Sequence, residues 1–570
     1  MTTVLPTAAR LPTGSLADLP MSSALLAAVP VAWLVPNHYF PWSSAWQDGM
    51  ALLLLLLAAL VHPRATRLPV PWAIALAVAV ASVALQWATG LILFGGDALI
   101  AAFYLAALAL ALAMGGTLSG DARPGQVSSL DAVAFGLVIC AVLSVAAALF
   151  QWTSVHALGI YVADLPPGAR PFGNVAQANQ LCTLVFMGLC GLALLHENGR
   201  IGASGFWFAA TFLTFGMAMS VSRTGWVQVG VLVAMVSVLQ WCSSARVRPV
   251  HAAGLALIFF AWTAAWPLLN DLLLLTGGRG VTAQADGGAR GPLWWSLLDA
   301  LAREPMTGYG WQQVIIAQQA VALDHPASFH LFEHSHNILL DILVWAGIPV
   351  GLLIVGLLGW SLLRQVRAAQ DARVTWLLVL VLGMLAHAML ELPHEYAYLL
   401  LPTGVAVGAA HALAPQGRTW PVPGLVLRGY ALLMLIGLGL IAVEYFRAEQ
   451  GYRLMRLESA RIGVYGLTTP PPELPMLTQL GAFQNFVHTE ARLGMTPSEL
   501  ETMRRVSIRF AYPPAMFRYA LALALNGRQD EARVTLARLC RIHEPTRCDE
   551  AREGWRSLQG RYPGLAEVPF

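Results

Sequence analysis

Apolar runs of near-bilayer length follow one another along this chain, and they leave few folds open to it. A helix needs roughly 17–25 mostly apolar residues to cross the hydrocarbon layer, and backbone exposed to lipid must satisfy its own hydrogen bonds. Runs at 21–37, 47–62, 72–91, 97–115, 131–151, 177–196, 203–221, 225–242, 251–270, 336–362, 374–391, 396–413 and 424–446 fit that description. The run 47–62 is short, and the Trp, Tyr and Phe residues of 37–50 give that stretch an interfacial character. Of 570 residues, 57% are hydrophobic and 11% charged, against about 25% charged in a soluble protein. The expected fold class is all-α, a polytopic membrane bundle of about thirteen transmembrane helices.

Arginine sets the orientation. The chain contains no lysine, as a GC-rich genome would produce. One set of short connections carries Arg64, Arg67, Arg123, Arg200, Arg246, Arg248, Arg364, Arg367, Arg373, Arg418 and Arg428. The opposite short connections carry only Arg170 and Arg223. The positive-inside rule places the first set in the cytoplasm. An odd number of spans from a cytoplasmic N-terminus then leaves the C-terminal segment outside.

Two large pieces share that outer face. The loop 271–335 opens with a glycine-rich stretch, TGGRGVTAQADGGARG, and continues as PLWWSLLDALAREP, whose apolar spacing predicts a helix lying on the membrane interface. The tail, 447–570, contains YPPAMFRYALALALNGRQDEARVTLARLCRIH, which reads as two helices joined by NGRQDE and resembles a tetratricopeptide-type hairpin. It is either a plain helical cap or a platform for a protein partner. The expected domains are a membrane unit, 1–446, including the loop 271–335, and an outer helical unit, 447–570. Cys140, Cys182, Cys190 and Cys242 fall in apolar runs and read as small core residues. Cys540 and Cys548 lie in the tail, where they form a disulfide or remain two thiols. The N-terminal twenty residues lack the charged start, apolar centre and cleavage site of a removable signal.

Several polar groups stand on the outer face. In EHSHN, Glu333 to Asn337, His336 falls near a helix N-terminus, where unpaired N–H groups disfavour imidazolium and keep the ring neutral. A neutral imidazole at a wet edge can take a proton from a hydroxyl. Glu333, three residues earlier, can fix its tautomer if the helix begins early enough. Alternatively Glu333, His334 and Asn337 simply cap the helix. Zinc is a weaker reading, because two histidines and a glutamate lack a fourth ligand. Arg170, Arg223 and Arg290 are distant in sequence yet share this face, and guanidinium forks bind phosphate oxygens bidentately. Arg223 is the hardest to explain otherwise, since SVSRTG is the one break in an apolar block from Phe206 to Trp241. Gln177, Asn179 and Gln180 bring amides to a helix start, to bind glycan hydroxyls or phosphate, or only to cap. Glu391, His394 and Glu395 occupy a very short outer turn, ELPHEY.

No Walker loop, DxD nucleotide-sugar motif or GxSxG elbow is present, and no basic stripe interleaved with aromatics suggests nucleic acid. Chemistry that needs no nucleotide and no cofactor, on the outer face, fits that inventory. Polar residues at the outer edge rather than mid-membrane count against a secondary transporter or flippase.

Together ARPFGNVAQANQ, SVSRTG, ARGPLWWS with GYGWQQ, and HSHNILLDILVWAGIPVGLL resemble the bacterial O-antigen ligase superfamily over about residues 130–410. Glu333 before the paired histidines, ELPHEY and the long outer tail are similar to the branch of protein O-oligosaccharyltransferases that glycosylate pilins; ANQLCTL departs from the family pattern. The resemblance implies an inner-membrane, multi-pass glycosyltransferase with its active site facing the periplasm. Its donor would be an oligosaccharide on undecaprenyl pyrophosphate, and its acceptor Ser or Thr hydroxyls of a periplasmic protein such as pilin. The transfer would be metal-independent and inverting, with His336 as base, Glu333 and Asn337 orienting it, and Arg170, Arg223 and Arg290 on the pyrophosphate. Gln177, Asn179, Gln180, Glu391 and His394 would contact the glycan or phosphate. The alternative is an O-antigen ligase or polymerase acting on lipid A core or another glycan.

Overall fold

The computed structural model describes residues 19–118, 127–175, 177–240, 245–275, 290–460, 471–568 and 570. Arg123, Cys242 and most of the glycine-rich stretch before Arg290 lie outside the described residues. The described chain is nearly all helix. Among the described residues, eight helices are long and apolar enough to cross a membrane: Val70–Ala88, Gly95–Gly115, Ser129–Trp152, Ala178–Glu197, Arg223–Gln240, Pro249–Leu272, Ile338–Ala368 and Gly424–Ser459. Five shorter apolar helices, Met21–Leu34, Ala45–Val61, Ala203–Met219, Ala372–Ala388 and Ala397–Leu413, stand among them. The first of these tightens to a 3₁₀ turn at Val29–Leu34, where Pro30 removes a backbone donor.

Lipid tails are as apolar as leucine, so packing inside a membrane relies on close approach of backbones at small residues. Helices Gly95–Gly115 and Ala397–Leu413 use glycine in this way. A Cβ on Gly115 would sit 2.1 Å from the Val405 carbonyl oxygen, and one on Gly408 would sit 2.1 Å from that of Leu112. The buried centre is the helix Ala178–Glu197, covered on nearly every side.

Two departures from an all-helical reading shape the connections. Thr66–Pro69 and Thr419–Val422 pair as short antiparallel strands, Thr66 opposite Val422 and Pro69 opposite Thr419. They join two arginine-bearing connections at one end of the bundle, where the Glu197 carboxylate also accepts the N–H groups of Arg246 and Val247 at 2.8 and 2.9 Å. The expected run 336–362 is broken at Gly347, which has φ 77° and ψ 168°. The loop after the helix Arg290–Arg303 fills that break: Tyr309 N–H bonds Val344 O at 2.8 Å, Gly310 N–H bonds Trp345 O at 3.1 Å, and Ile348 N–H bonds Pro305 O at 2.7 Å.

The tail is a stack of helices, Thr478–His488, Pro497–Arg509, Pro513–Leu525, Gln529–Ile542 and Pro545–Gln559. The expected helix pair around NGRQDE is present as Pro513–Leu525 and Gln529–Ile542, and a disulfide joins Cys540 to Cys548. Met503, Tyr519, Leu536 and Trp555 form the tail's own core together with Phe94 of the bundle. Arg509 grips Asp97 bidentately, with both bonds at 3.0 Å, and both side chains are largely buried. Helix Gly424–Ser459 runs without a break through the expected boundary at 446.

Candidate active site

Four connections converge at the end of the bundle opposite the paired strands. The first is the SVSRTG turn. Val221 has φ 50°, a left-handed conformation that costs a β-branched residue about 1–2 kcal/mol. Its carbonyl accepts Arg170 Nη1 at 2.9 Å, and Ser222 Oγ accepts the Thr224 N–H at 3.2 Å to start the helix Arg223–Gln240. The second is EHSHN, in which His336 is also left-handed, at φ 57°. Asn337 then caps the next helix by accepting the N–H groups of Leu339 and Leu340 at 3.1 and 3.3 Å. The third is the start of the helix Arg290–Arg303, and the fourth is ELPHEY.

Glu391 joins these pieces. Its Oε2 lies 3.0 Å from His336 Nδ1. Its Oε1 accepts Arg290 Nη2 and, at 3.3 Å, Asn179 Nδ2. Asn179 Oδ1 in turn accepts Arg170 Nη1 at 3.4 Å. A network therefore runs from Arg170 through Asn179 and Glu391 to both Arg290 and His336. Burial alone would raise the Glu391 carboxyl, but the His336 hydrogen bond and the charges of His336 and Arg290 outweigh it and hold the group below its ordinary value. An ionised Glu391 accepts from Nδ1–H, which leaves Nε2 as the acceptor atom of the ring. The His336 side chain is 23% exposed and that of Arg290 24%, so both are reachable from outside.

Expectation and geometry part at several residues. Glu333 is exposed, and its charge acts on Arg509 and Tyr512 of the tail; the carboxylate at His336 is that of Glu391. The expected i to i+3 contact fails because the helix begins at Ile338, so Glu333 and His336 do not lie on one helical face. Asn337 Oδ1 is occupied by the cap. Gln180 is buried and accepts the Tyr398 hydroxyl at 2.5 Å, which makes it an internal strut. Gln177 is exposed at the start of the helix Ala178–Glu197. Arg223 is half-buried, two residues beyond the carbonyl that Arg170 holds.

A second polar group lies behind the first. His394 Nε2 is 3.6 Å from Glu395 Oε1 and 4.0 Å from Asp341 Oδ2, and His334 Nδ1 is 4.0 Å from Glu395 Oε1. Gln312 Nε2 donates to Glu395 Oε2 at 2.8 Å. Burial pushes His334 down to about 3 and His394 down to about 4, so both rings stay neutral. Burial, with Asp341 nearby, pushes Glu395 up to about 8. Gln312 escaped the sequence reading, and Glu395 was read only as part of the outer turn and given no role; the signal available was GYGWQQ facing the acids of ELPHEY. Among the described residues no group of three or more His, Cys, Asp or Glu is arranged to hold a metal ion.

The arrangement can hold an anion with guanidinium forks and remove a proton with a carboxylate-oriented imidazole. Residues 208–355 match the family described as O-Antigen ligase, and residues 375–547 match that described as virulence factor membrane-bound polymerase, C-terminal. The chain is similar to a general O-oligosaccharyltransferase of Acinetobacter baylyi, 27% identical over 533 residues, or 90% of this chain and 91% of that protein. It is also similar to a ComP-specific O-oligosaccharyltransferase of the same organism, 29% identical over 246 residues, 42% of this chain and 43% of that one. No solved structure matches it.

Proposed function

From the premise that this chain is a membrane glycosyltransferase of the O-antigen ligase superfamily, on its protein O-oligosaccharyltransferase side, we propose that it moves an oligosaccharide from undecaprenyl pyrophosphate to Ser or Thr hydroxyls of periplasmic proteins such as pilins. Similarity along nearly the whole of a general O-oligosaccharyltransferase supports a protein acceptor. The arginine distribution favours an inner-membrane protein of thirteen spans with the Glu391 network facing the periplasm. The disulfide Cys540–Cys548 suits an oxidising compartment for the tail, proposed as a separate unit from 447 onward.

The observation that carries the reading is the pair of bonds on one carboxylate, Glu391 to His336 and Glu391 to Arg290. His336 Nε2 takes the proton of the acceptor hydroxyl as its oxygen attacks the anomeric carbon. The bond from that carbon to the pyrophosphate oxygen breaks, and its electron pair leaves with the pyrophosphate. Arg170, Arg223 and Arg290 neutralise the leaving group as charge develops. Glu391 stabilises the imidazolium that forms. A single displacement inverts the anomeric centre, and proton transfer and charge stabilisation both come from side chains, without a metal.

Co-expression with a lipid-linked glycan pathway and a candidate pilin tests this. The expected result is glycan on the pilin, lost in His336→Ala while the protein still inserts. Glycan on lipid A core instead would support the ligase alternative, and transfer to neither acceptor would overturn the reading.

A further inference from the structure

We propose that Trp294 and Asp341 are positioning residues that clamp Ser335 from two sides and so keep His336 in its left-handed geometry. This rests on the reading of His336 as the base. A non-glycine residue at φ 57° sits in a sparsely populated region, and such conformations persist only where their surroundings over-determine them.

Ser335 supplies that determination. It is fully buried, and each of its polar groups is engaged. Its N–H donates to Asp341 Oδ1 at 2.8 Å, and its carbonyl accepts Trp294 Nε1–H at 2.8 Å. Its hydroxyl donates to Asn337 O at 2.9 Å and accepts the Asn337 N–H at 3.1 Å. The residues before and after His336 are thus locked together, and the lock is fastened to two different helices. Asp341 is fully buried, one turn into the helix Ile338–Ala368. Trp294 lies one turn beyond Arg290 on the helix Arg290–Arg303, so the two share a face. One indole N–H therefore sets the register between the helix that carries Arg290 and the turn that carries His336.

The test uses the full-length protein in bilayer discs, with a lipid-linked oligosaccharide and an acceptor protein, reading kcat and KM separately. Trp294→Phe keeps an aromatic ring, smaller than the indole, and removes the donor. It should lower kcat about tenfold and leave KM for donor and acceptor within about twofold. Asp341→Asn, which keeps an acceptor oxygen, should retain most of kcat, and Asp341→Ala should not. Should Asp341→Ala fail to fold, Trp294→Phe decides alone. Wild-type kcat in Trp294→Phe, a loss confined to KM, or equal losses in Asp341→Asn and Asp341→Ala would overturn the clamp. Turnover persisting in His336→Ala would instead remove the base on which the clamp acts.

Discussion

Replacing Glu391 by glutamine gives the sharpest test of how the site is wired. The side chain keeps its size and an acceptor oxygen but loses its charge. In the native protein it accepts from His336 Nδ1 at 3.0 Å, from Asn179 at 3.3 Å and from Arg290. Hydrogen bonds to charged groups contribute about 1.5–3 kcal/mol, and neutral ones about 0.5–1.5. The Glu391 side chain is only 13% exposed, so solvent screening takes little from that difference of about 1–1.5 kcal/mol. At about 1.36 kcal/mol per factor of ten, kcat should fall roughly tenfold. Glu391→Ala also leaves Nδ1–H and the Arg290 fork without an acceptor, and should lose roughly 10- to 150-fold. The assay is single-turnover transfer to an acceptor protein from about pH 5 to 8. Burial opposes ionisation of Glu391, but His336 and Arg290 hold the carboxyl below its ordinary value, so the charge that the substitution removes is present throughout that range. Glu333→Gln, at an exposed position, should stay within about twofold. Native turnover in Glu391→Gln together with impairment in Glu333→Gln would refute this assignment of the carboxylate.

Arg290→Lys should reduce kcat about tenfold or more, since an ammonium lacks the bidentate fork; equal rates would reduce the arginine to a point charge. Glu395 is raised by burial to about 8, so the stability it contributes is full below about 4.5 and lost as pH rises towards 8. Glu395→Gln should flatten that decline in thermal melts, whereas a slope equal to that of wild type would place the pH dependence elsewhere. Arg509→Ala strands Asp97 in a buried site and should cost about 3–5 kcal/mol in docking the tail. Limited proteolysis should then release fragments beyond 471, and native resistance would show that apolar packing alone suffices.

The helices were legible because apolar runs in lipid have one stable backbone solution. The meeting of Arg170, Arg290 and His336 was legible as a shared face. Their wiring was not. Spacing arguments linked Glu333 to His336 on the assumption of helix at 333–336, and the left-handed turn at His336 removes that assumption. Glu391 lies 55 residues from His336, a separation that no local rule spans. Asn337 looked like an orienting group and Gln180 like a ligand contact because a cap and an internal strut use the same amides as a functional site. The break at Gly347 did have a local signal, AGIP, where glycine and proline interrupt an apolar run. The strand pair at Thr66–Pro69 had none, since its partner is far away in the chain.

The helix Gly424–Ser459 has 36 residues and is about 54 Å long, whereas the hydrocarbon layer takes about 30 Å. Its far end is no flexible tether. Glu444 accepts the N–H groups of Met476 and Leu477, Gln484 bonds the Ala448 carbonyl at 2.9 Å, and Tyr452 stacks on Phe483. The tail is therefore indexed to the membrane part like a key on a splined shaft. One residue added within that shaft would lift everything carried above it by about 1.5 Å and swing it by about 100°, disengaging Arg509 from Asp97. Length along this stretch is thus as constrained as chemistry, since even a whole turn, which restores the angle, adds about 5.4 Å of height.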